Sequence, residues 1–289
     1  MGVIDLDDFA AAVGTDGPVT ICGASTRGGP VVGVRAVGAP AGIVELHPDE
    51  MTVRCGAATP VDELVDALAE YGQTVALPPG GTVGGALSVG HSDIRRLGWG
   101  PIRDTLLGAR FVSAAGQVIS AGGPTVKNVS GFDICRLLVG ARGTLGFLGE
   151  VILRTRPRAR AAQWASAPAP TLAEVDARTA PLYRPTSVLW NGATMWVLVE
   201  GHPRDVEEQL VAFTACSEPP SIPTGGRRSL APADLGALEG EFVAEIGVGI
   251  VHLPAPCEPP DRPARLVALG ASVKAAFDPT GRLNPGIDV

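Results

Sequence analysis

Between residues 79 and 88 the chain reads Pro79-Gly80-Gly81-Thr82-Val83-Gly84-Gly85-Ala86-Leu87-Ser88, with four glycines in six positions. Glycine weakens a helix or strand by roughly 0.5–1 kcal/mol relative to alanine, so this density marks backbone that lies close against a flat or charged group. A second run, Cys22-Gly23-Ala24-Ser25-Thr26-Arg27-Gly28-Gly29, follows an expected strand. Its small residues let successive N–H groups converge on an anion, and the Ser25 and Thr26 hydroxyls can join them. Taken singly, either stretch also reads as a plain loop. Their order in one chain is the stronger signal.

Several alternatives lack their residues. No G-x-G-x-x-G follows a strand and no G-x-x-x-x-G-K-[ST] occurs, which removes the Rossmann and P-loop readings. The G-x-S-x-G elbow of a serine hydrolase is missing, and so is any H-E-x-x-H or clustered His/Cys set that would mark a metal site. A net charge of −7 with scattered basic residues argues against a nucleic-acid partner. The densest basic run, Arg154, Arg156, Arg158 and Arg160, reads as a solvated strand edge. Five cysteines with no C-x-x-C pair suit reduced thiols in the cytoplasm. The start has no signal-peptide pattern, and no apolar run nears the ~20 residues that span a bilayer. No membrane span is therefore expected, while docking on the inner face of the membrane stays open.

With 289 residues, 45% of them hydrophobic and 18% charged, a globular chain of one or two domains is expected. Short β segments are expected at Val19–Cys22, Val31–Val37, Ile43–Leu46 and Met51–Cys55. The clearest helix is capped by Thr59, takes Pro60 first, sets Val61, Leu64, Val65 and Leu68 on one face, and ends near Gly72. Residues 74–100 show little periodicity. A hairpin joins Phe111–Ser113 to Gln117–Ser120, then come a short helix at Asp133–Val139 and a strand at Phe147–Thr155. Beyond residue 160 the spacing predicts a strand at Ala161–Ala165, a helix at Leu172–Thr179, and strands Ser187–Trp190 and Thr194–Glu200 around an Asn191–Gly192 turn. A helix from Pro203 and a strand over Phe242–Leu253 complete a β-α-β-β-α-β order, which is ferredoxin-like. A last helix, Arg262–Phe277, leads into Asp278–Gly286.

At this point the residues resemble a known family. Gly81-Thr82-Val83-Gly84-Gly85, followed by Gly98-x-Gly100-x-x-Arg103-Asp104-x-x-Leu107-Gly108, resembles the FAD domain of the vanillyl-alcohol oxidase and p-cresol methylhydroxylase (PCMH) superfamily. Lys127 through Asp133, with Arg136-Leu137 and Gly143-Thr144-Leu145-Gly146 through Glu150-Val151, is similar to the FAD-binding subunit of bacterial glycolate oxidase. The ending Lys274 to Gly286 is similar to that of D-lactate and glycolate dehydrogenases. The resemblance is strong over 18–158, good over 262–286 and weak across 160–255. It implies an α+β fold with a two-subdomain PCMH-type FAD-binding domain at 1–158. A small ferredoxin-like cap or substrate domain would occupy 159–256, and the C-terminal helix of 257–289 would return to the FAD domain.

The resemblance also implies site residues. Gly23, Ala24, Ser25, Thr26 and Arg27 would hold the FAD pyrophosphate. Pro79, Gly80, Gly81, Thr82, Val83, Gly84, Gly85, Ser88 and Ser92 would continue the cradle along the ribityl chain. Gly146, Glu150 and Val151 would lie near the adenine or flavin edge, and Lys127 and Asn128 would line the cofactor cleft. Ser25 and Thr26 stand where a linking histidine is expected, so FAD would be non-covalent; His91 reads as an ordinary loop histidine. The implied activity is oxidation of a small 2-hydroxy acid such as glycolate or D-lactate, by hydride transfer to flavin N5. His252 is the candidate base, set against a structural histidine at a strand end. The family's H-x-G-D-G-N-x-H metal stretch is replaced here by Glu245-Ile246-Gly247-Val248-Gly249-Ile250-Val251-His252, and no metal is expected. That departure leaves open an accessory subunit working beside a partner flavoprotein and an iron–sulfur subunit.

Overall fold

The computed structural model describes residues 3–124, 133–258 and 262–287. They divide into two compact units, one of 1–93, 101–158 and 262–289, the other of 94–100 and 159–261.

The chain opens with a helix that the sequence reading did not anticipate. In α1 (Asp7–Val13), Asp7 and Asp8 sit in the first turn, where free N–H groups favour carboxylates, and Phe9 and Val13 are buried. Strands β1 (Val19–Cys22) and β2 (Arg35–Gly38) pair in parallel. The expected strand at Val31–Val37 begins only at Arg35, because Gly33 takes a left-handed turn at φ +77°. Next come β3 (Ile43–His47), β4 (Thr52–Gly56), α2 (Val61–Ala69) and β5 (Gln73–Val75). Helix α2 buries Val61, Leu64 and Leu68, the stripe its spacing predicts. Thr59 does not cap it. Pro60 holds that position, and the Thr59 hydroxyl instead binds the main chain of Gly42.

The glycine-rich stretch, expected to be irregular, folds into α3 (Val83–Val89) and α4 (Arg96–Trp99). Thr82 caps α3 by accepting from Gly85 N, and Val83, Ala86 and Leu87 are fully buried. Burial of that face outweighs the low helix propensity of Gly84 and Gly85. Then follow β6 (Leu106–Val112), β7 (Val118–Gly122), α5 (Ile134–Leu138) and β8 (Phe147–Pro157). The first unit's larger sheet runs β3-β4-β8-β6-β7, with β5 also paired to β8. Strand β8 is buried through its first seven residues and binds three neighbours, so it reads as a continuous apolar run with Glu150 inside it.

In the second unit, β9 (Ala161–Pro168) leads to α6 (Leu172–Thr179), whose capping box joins Thr171 to Glu174. Strands β10 (Ser187–Trp190) and β11 (Thr194–Gly201) meet at the expected Asn191–Gly192 turn, where Gly192 has φ +91°. They are followed by α7 (Pro203–Gln209), β12 (Thr214–Cys216), β13 (Gly226–Ser229), β14 (Val243–Glu245) and β15 (Ile250–Leu253). The sheet order is β12-β9-β11-β10-β14-β15-β13. The strand expected over Phe242–Leu253 is therefore two strands. Gly247 and Gly249, at φ +78° and +79°, turn the chain between β14 and β15. The strand that closes the β-α-β-β-α-β run is the short β12, beside β9.

The chain ends in α8 (Ala264–Phe277) and the segment after it, both within the first unit. Lys274 Nζ donates to Asp278 Oδ2 (2.7 Å), Thr144 O (2.8 Å) and Leu283 O (3.0 Å), so all three of its protons are used. Arg282 is 5% exposed, and its guanidinium donates to five carbonyls, those of Val13, Gly14, Asp16, Gly17 and Ala114. Beyond it, Leu283 bridges Val19 in parallel, with Val19 N donating to Arg282 O and Asn284 N to Val19 O.

Asp278 is buried, and burial pushes its carboxyl upward. The hydrogen bonds from Lys274, Leu283 and Arg282 outweigh that effect and hold it below its ordinary value. The carboxylate therefore adds stability above the unfolded-state value of about 3.9, and that stability fades as pH falls through the lower folded value. Thermal midpoints of Asp278→Asn and the unmodified protein should differ most near neutrality and converge toward pH 3. A gap that stays constant with pH would contradict this assignment.

Candidate binding cleft

Strand β1 delivers the first glycine loop to one wall of a cleft, and the turn before α3 delivers the second. The Arg27 side chain ties them together. Its Nη1 donates to Gly80 O (2.8 Å), and its Nη2 donates to Pro79 O (2.7 Å) and Pro78 O (3.1 Å). Burial pushes the Arg27 pKa down, and nearby Asp62 partly offsets this while its carboxylate accepts from Gly80 N (3.1 Å). Gly81 lies where the loops press together. Its φ is +66°, and a Cβ there would collide with Thr26 Oγ1 and Arg27 Nη1.

Between the loops lies a cavity of about 430 Å³, inside the roughly 300–1,000 Å³ range of small-ligand sites. Gly23 to Gly29, Thr82, Gly84, Gly85 and Ser88 line one part of it. Ala57, Val89, Phe147 and Leu148 give it an apolar part. No Asp or Glu is among the described lining residues, although the whole chain carries −7. Five described non-glycine residues have left-handed backbone, and three of them, Ser25 (φ +55°), Arg142 (φ +50°) and Asn284 (φ +44°), line this one cavity. Such conformations cost of order 1–3 kcal/mol each and cluster at ligand clamps. Main-chain amides, the Ser25, Thr26 and Ser88 hydroxyls and cationic side chains beside an apolar wall can hold an anion joined to a flat ring.

The sequence-derived residues divide into groups. Gly23, Ala24, Ser25, Thr26, Arg27, Thr82, Gly84, Gly85 and Ser88 line the cavity. Pro79, Gly80 and Gly81 lie behind it, in the loop gripped by Arg27, and Val83 is buried in the core. Ser92 accepts from Ile102 N (3.1 Å), and Gly146 lies against the Phe111 ring. Glu150 is 1% exposed; it pairs with Arg54 (2.8 Å) and accepts from Ile4 N (2.6 Å). Val151 belongs to the core. None of Ser92, Gly146, Glu150 and Val151 lines the cavity. Lys127 and Asn128 fall outside the described residues.

His252 belongs to the second unit, on β15, where its Nε2 is 2.8 Å from Glu245 Oε1. Both side chains are largely buried, at 13% and 3% exposure. Arg227 of β13 is its register partner on the other side.

Among the cavity residues not singled out from sequence are Asn284 and Arg142. Asn284 accepts from Ile21 N (3.1 Å) and donates to Arg142 O, fixing β1 and the 140–143 turn to one side chain. The available signal was its place in the Arg282-Leu283-Asn284-Pro285-Gly286 ending. Arg142 stands between Ala141 and Gly143 in a turn that carries no strand or helix period. Among the described residues, no group of three His, Cys, Asp or Glu could hold a metal ion, and no helix is long and apolar enough to cross a membrane.

Comparison with known proteins adds independent findings. Residues 13–122 match the FAD binding domain family. The glycolate oxidase subunit GlcE of Escherichia coli (strain K12) is 34% identical over 165 residues, which is 54% of this chain and 47% of that subunit. The D-lactate dehydrogenase of Archaeoglobus fulgidus is 33% identical over 132 residues, 45% of this chain and 30% of that enzyme. The glycolate oxidase subunit GlcD of Bacillus subtilis (strain 168) is 39% identical over 77 residues, 27% of this chain and 16% of that subunit. These matches span about half or less of each relative's length. A solved alkyldihydroxyacetonephosphate synthase aligns with a TM-score of 0.68, covering 97% of this chain and 72% of that one. At 13% identity that likeness concerns fold alone.

Proposed function

We propose that this chain, whose residues 13–122 match the FAD binding domain family, is an FAD-dependent oxidoreductase, or a subunit of one, acting on a small 2-hydroxy acid such as glycolate or D-lactate. The observation that carries the reading is the meeting of the two glycine loops, through Arg27, around a cavity with no carboxylate among its described lining residues. The residues fit the cofactor: hydroxyls and main-chain amides suit its diphosphate, and Phe147 and Leu148 suit an apolar ring. FAD bound here would accept hydride from the substrate α-carbon at N5. The chain's own part is to grip the diphosphate without a covalent bond, keep water from the apolar wall and receive the hydroxyl proton. The candidate to receive that proton is His252, whose Nε2 lies 2.8 Å from Glu245 Oε1.

In this reading 1–158 is the PCMH-type FAD domain, 159–256 a ferredoxin-like cap, and 257–289 a return to the FAD domain. The strand order β12-β9-β11-β10 with two helices supports the cap. A cytoplasmic protein that docks at the inner membrane face is consistent with the absence of a spanning helix among the described residues. A second reading has one observation in its favour, that two of the relatives are named as subunits of glycolate oxidase. It makes this chain an accessory electron-transfer or assembly subunit beside a partner flavoprotein and an iron–sulfur subunit.

Anaerobic titration separates the readings. The purified chain should be yellow, release its flavin on acid precipitation, and bleach with glycolate or D-lactate. Bleaching by dithionite alone supports the accessory subunit, and a colourless chain with no affinity for added FAD refutes both.

A further inference from the structure

Among the described residues, one arginine of the cleft has no side-chain hydrogen bond or ion pair. Arg142 lines the cavity, is exposed, and its side chain makes no hydrogen bond or ion pair with any described residue. Its backbone, by contrast, is fixed on both sides. Its N–H donates to Ser88 O (2.8 Å), and its carbonyl accepts from Asn284 Nδ2. The next residue, Gly143, could not carry a Cβ without crowding Asn284 Nδ2 and the Phe147 ring.

The conformation makes the choice of residue informative. Three positions of this turn are left-handed: 140 (φ +88°), 142 (φ +50°) and 143 (φ +73°). Glycine occupies the first and third, where it is at ease, and arginine occupies the second. An exposed side chain on strained backbone, with no hydrogen bond or ion pair among the described residues, returns little of that strain to the fold. A ligand is what it can serve.

The other arginine of the cleft is already engaged, with three of its hydrogen bonds holding the loop at 78–80. Among the described residues, Arg142 is the lining arginine with no donor engaged. On the FAD reading above, we infer that Arg142 supplies a positive charge with free donors to hold the cofactor's diphosphate, beside uncharged hydroxyls and amides and an Arg27 whose donors grip the 78–80 loop. The strain at this turn is then a device for presenting a guanidinium to a phosphate, and the 282–284 ending, through Asn284, keeps the turn in place.

The test uses the full chain freed of flavin, with FAD affinity followed by quenching of flavin fluorescence at low and high salt. Arg142→Met and Arg142→Gly should each weaken FAD about tenfold at low salt, the change expected from one charge-assisted bond at a solvent-open site. Both should flatten the salt dependence of the affinity. Arg142→Lys should keep most of both. The flavin-free Arg142→Gly protein should melt no lower than the unmodified one, because glycine removes the strain. If Arg142→Met binds FAD as well as the unmodified chain, or Arg142→Lys is as weak as Arg142→Met, this inference is wrong while the FAD reading stands. If the unmodified chain binds no FAD, both fall.

Discussion

Replacing Arg282 by methionine is expected to cost about 3–5 kcal/mol of folding stability, since several buried carbonyls lose their donor at about 1–3 kcal/mol each. The side chain is 5% exposed and donates to five main-chain carbonyls. Methionine matches much of its length but offers no donor. The carbonyls of Val13, Gly14, Asp16, Gly17 and Ala114 would be left without that partner, and a buried unpaired polar group costs about 1–3 kcal/mol. Three segments distant in sequence meet at this guanidinium, so the damage cannot stay local. At roughly 2–4 °C per kcal/mol for a chain of this size, the melting midpoint should fall by about 10 °C. Arg282→Lys should rescue little, since one ammonium cannot reproduce a planar five-donor fork. Thermal melts followed by circular dichroism give the answer, and a loss below about 1 kcal/mol would mean that water satisfies those carbonyls as well as the guanidinium does.

The second large effect concerns the cofactor and is expected from a pair of neighbouring glycines. Gly80 and Gly81 have nearly the same backbone, at φ +72° and +66°. A Cβ at Gly80 would meet nothing within 4 Å, whereas one at Gly81 would collide with Thr26 and Arg27. Alanine at either site pays about 1 kcal/mol for the left-handed conformation. Only at Gly81 must the Arg27 fork also release the loop that it holds through Pro78, Pro79 and Gly80. Gly81→Ala should therefore weaken FAD about a hundredfold, near 2.7 kcal/mol, with Gly80→Ala close to the unmodified protein. Equal affinities for the two variants would show that the meeting of the loops is not what grips the cofactor.

Local chemistry was readable from sequence wherever neighbours in the chain decide the structure. Helix α2 followed from its apolar spacing, α6 from Leu172–Thr179, and the Asn191–Gly192 turn from its residue types. Glycine density drew attention to the two loops, though either alone also reads as a plain loop. What escaped was decided by distant contacts. Helix α3 forms because its apolar face is buried, against the preference of Gly84 and Gly85. Gly247 and Gly249 divide what alternation alone presents as one strand. Glu150 lies on the middle strand β8, and only the sheet's pairing shows its carboxylate turned to Arg54 and Arg110. Asn284 reaches Ile21 across 263 positions, a distance no local pattern can encode.

The last of these contacts has a bearing on how the molecule is made. Strand β1 and both glycine loops leave the ribosome well before Asn284 and Ile287, which line the same cavity. The nascent chain must therefore finish the entire second unit before the first can close. Flavin capture on this scheme waits for residues 284–287, and a ribosome stalled anywhere before residue 284 would hold both glycine loops with a cavity still open on one side.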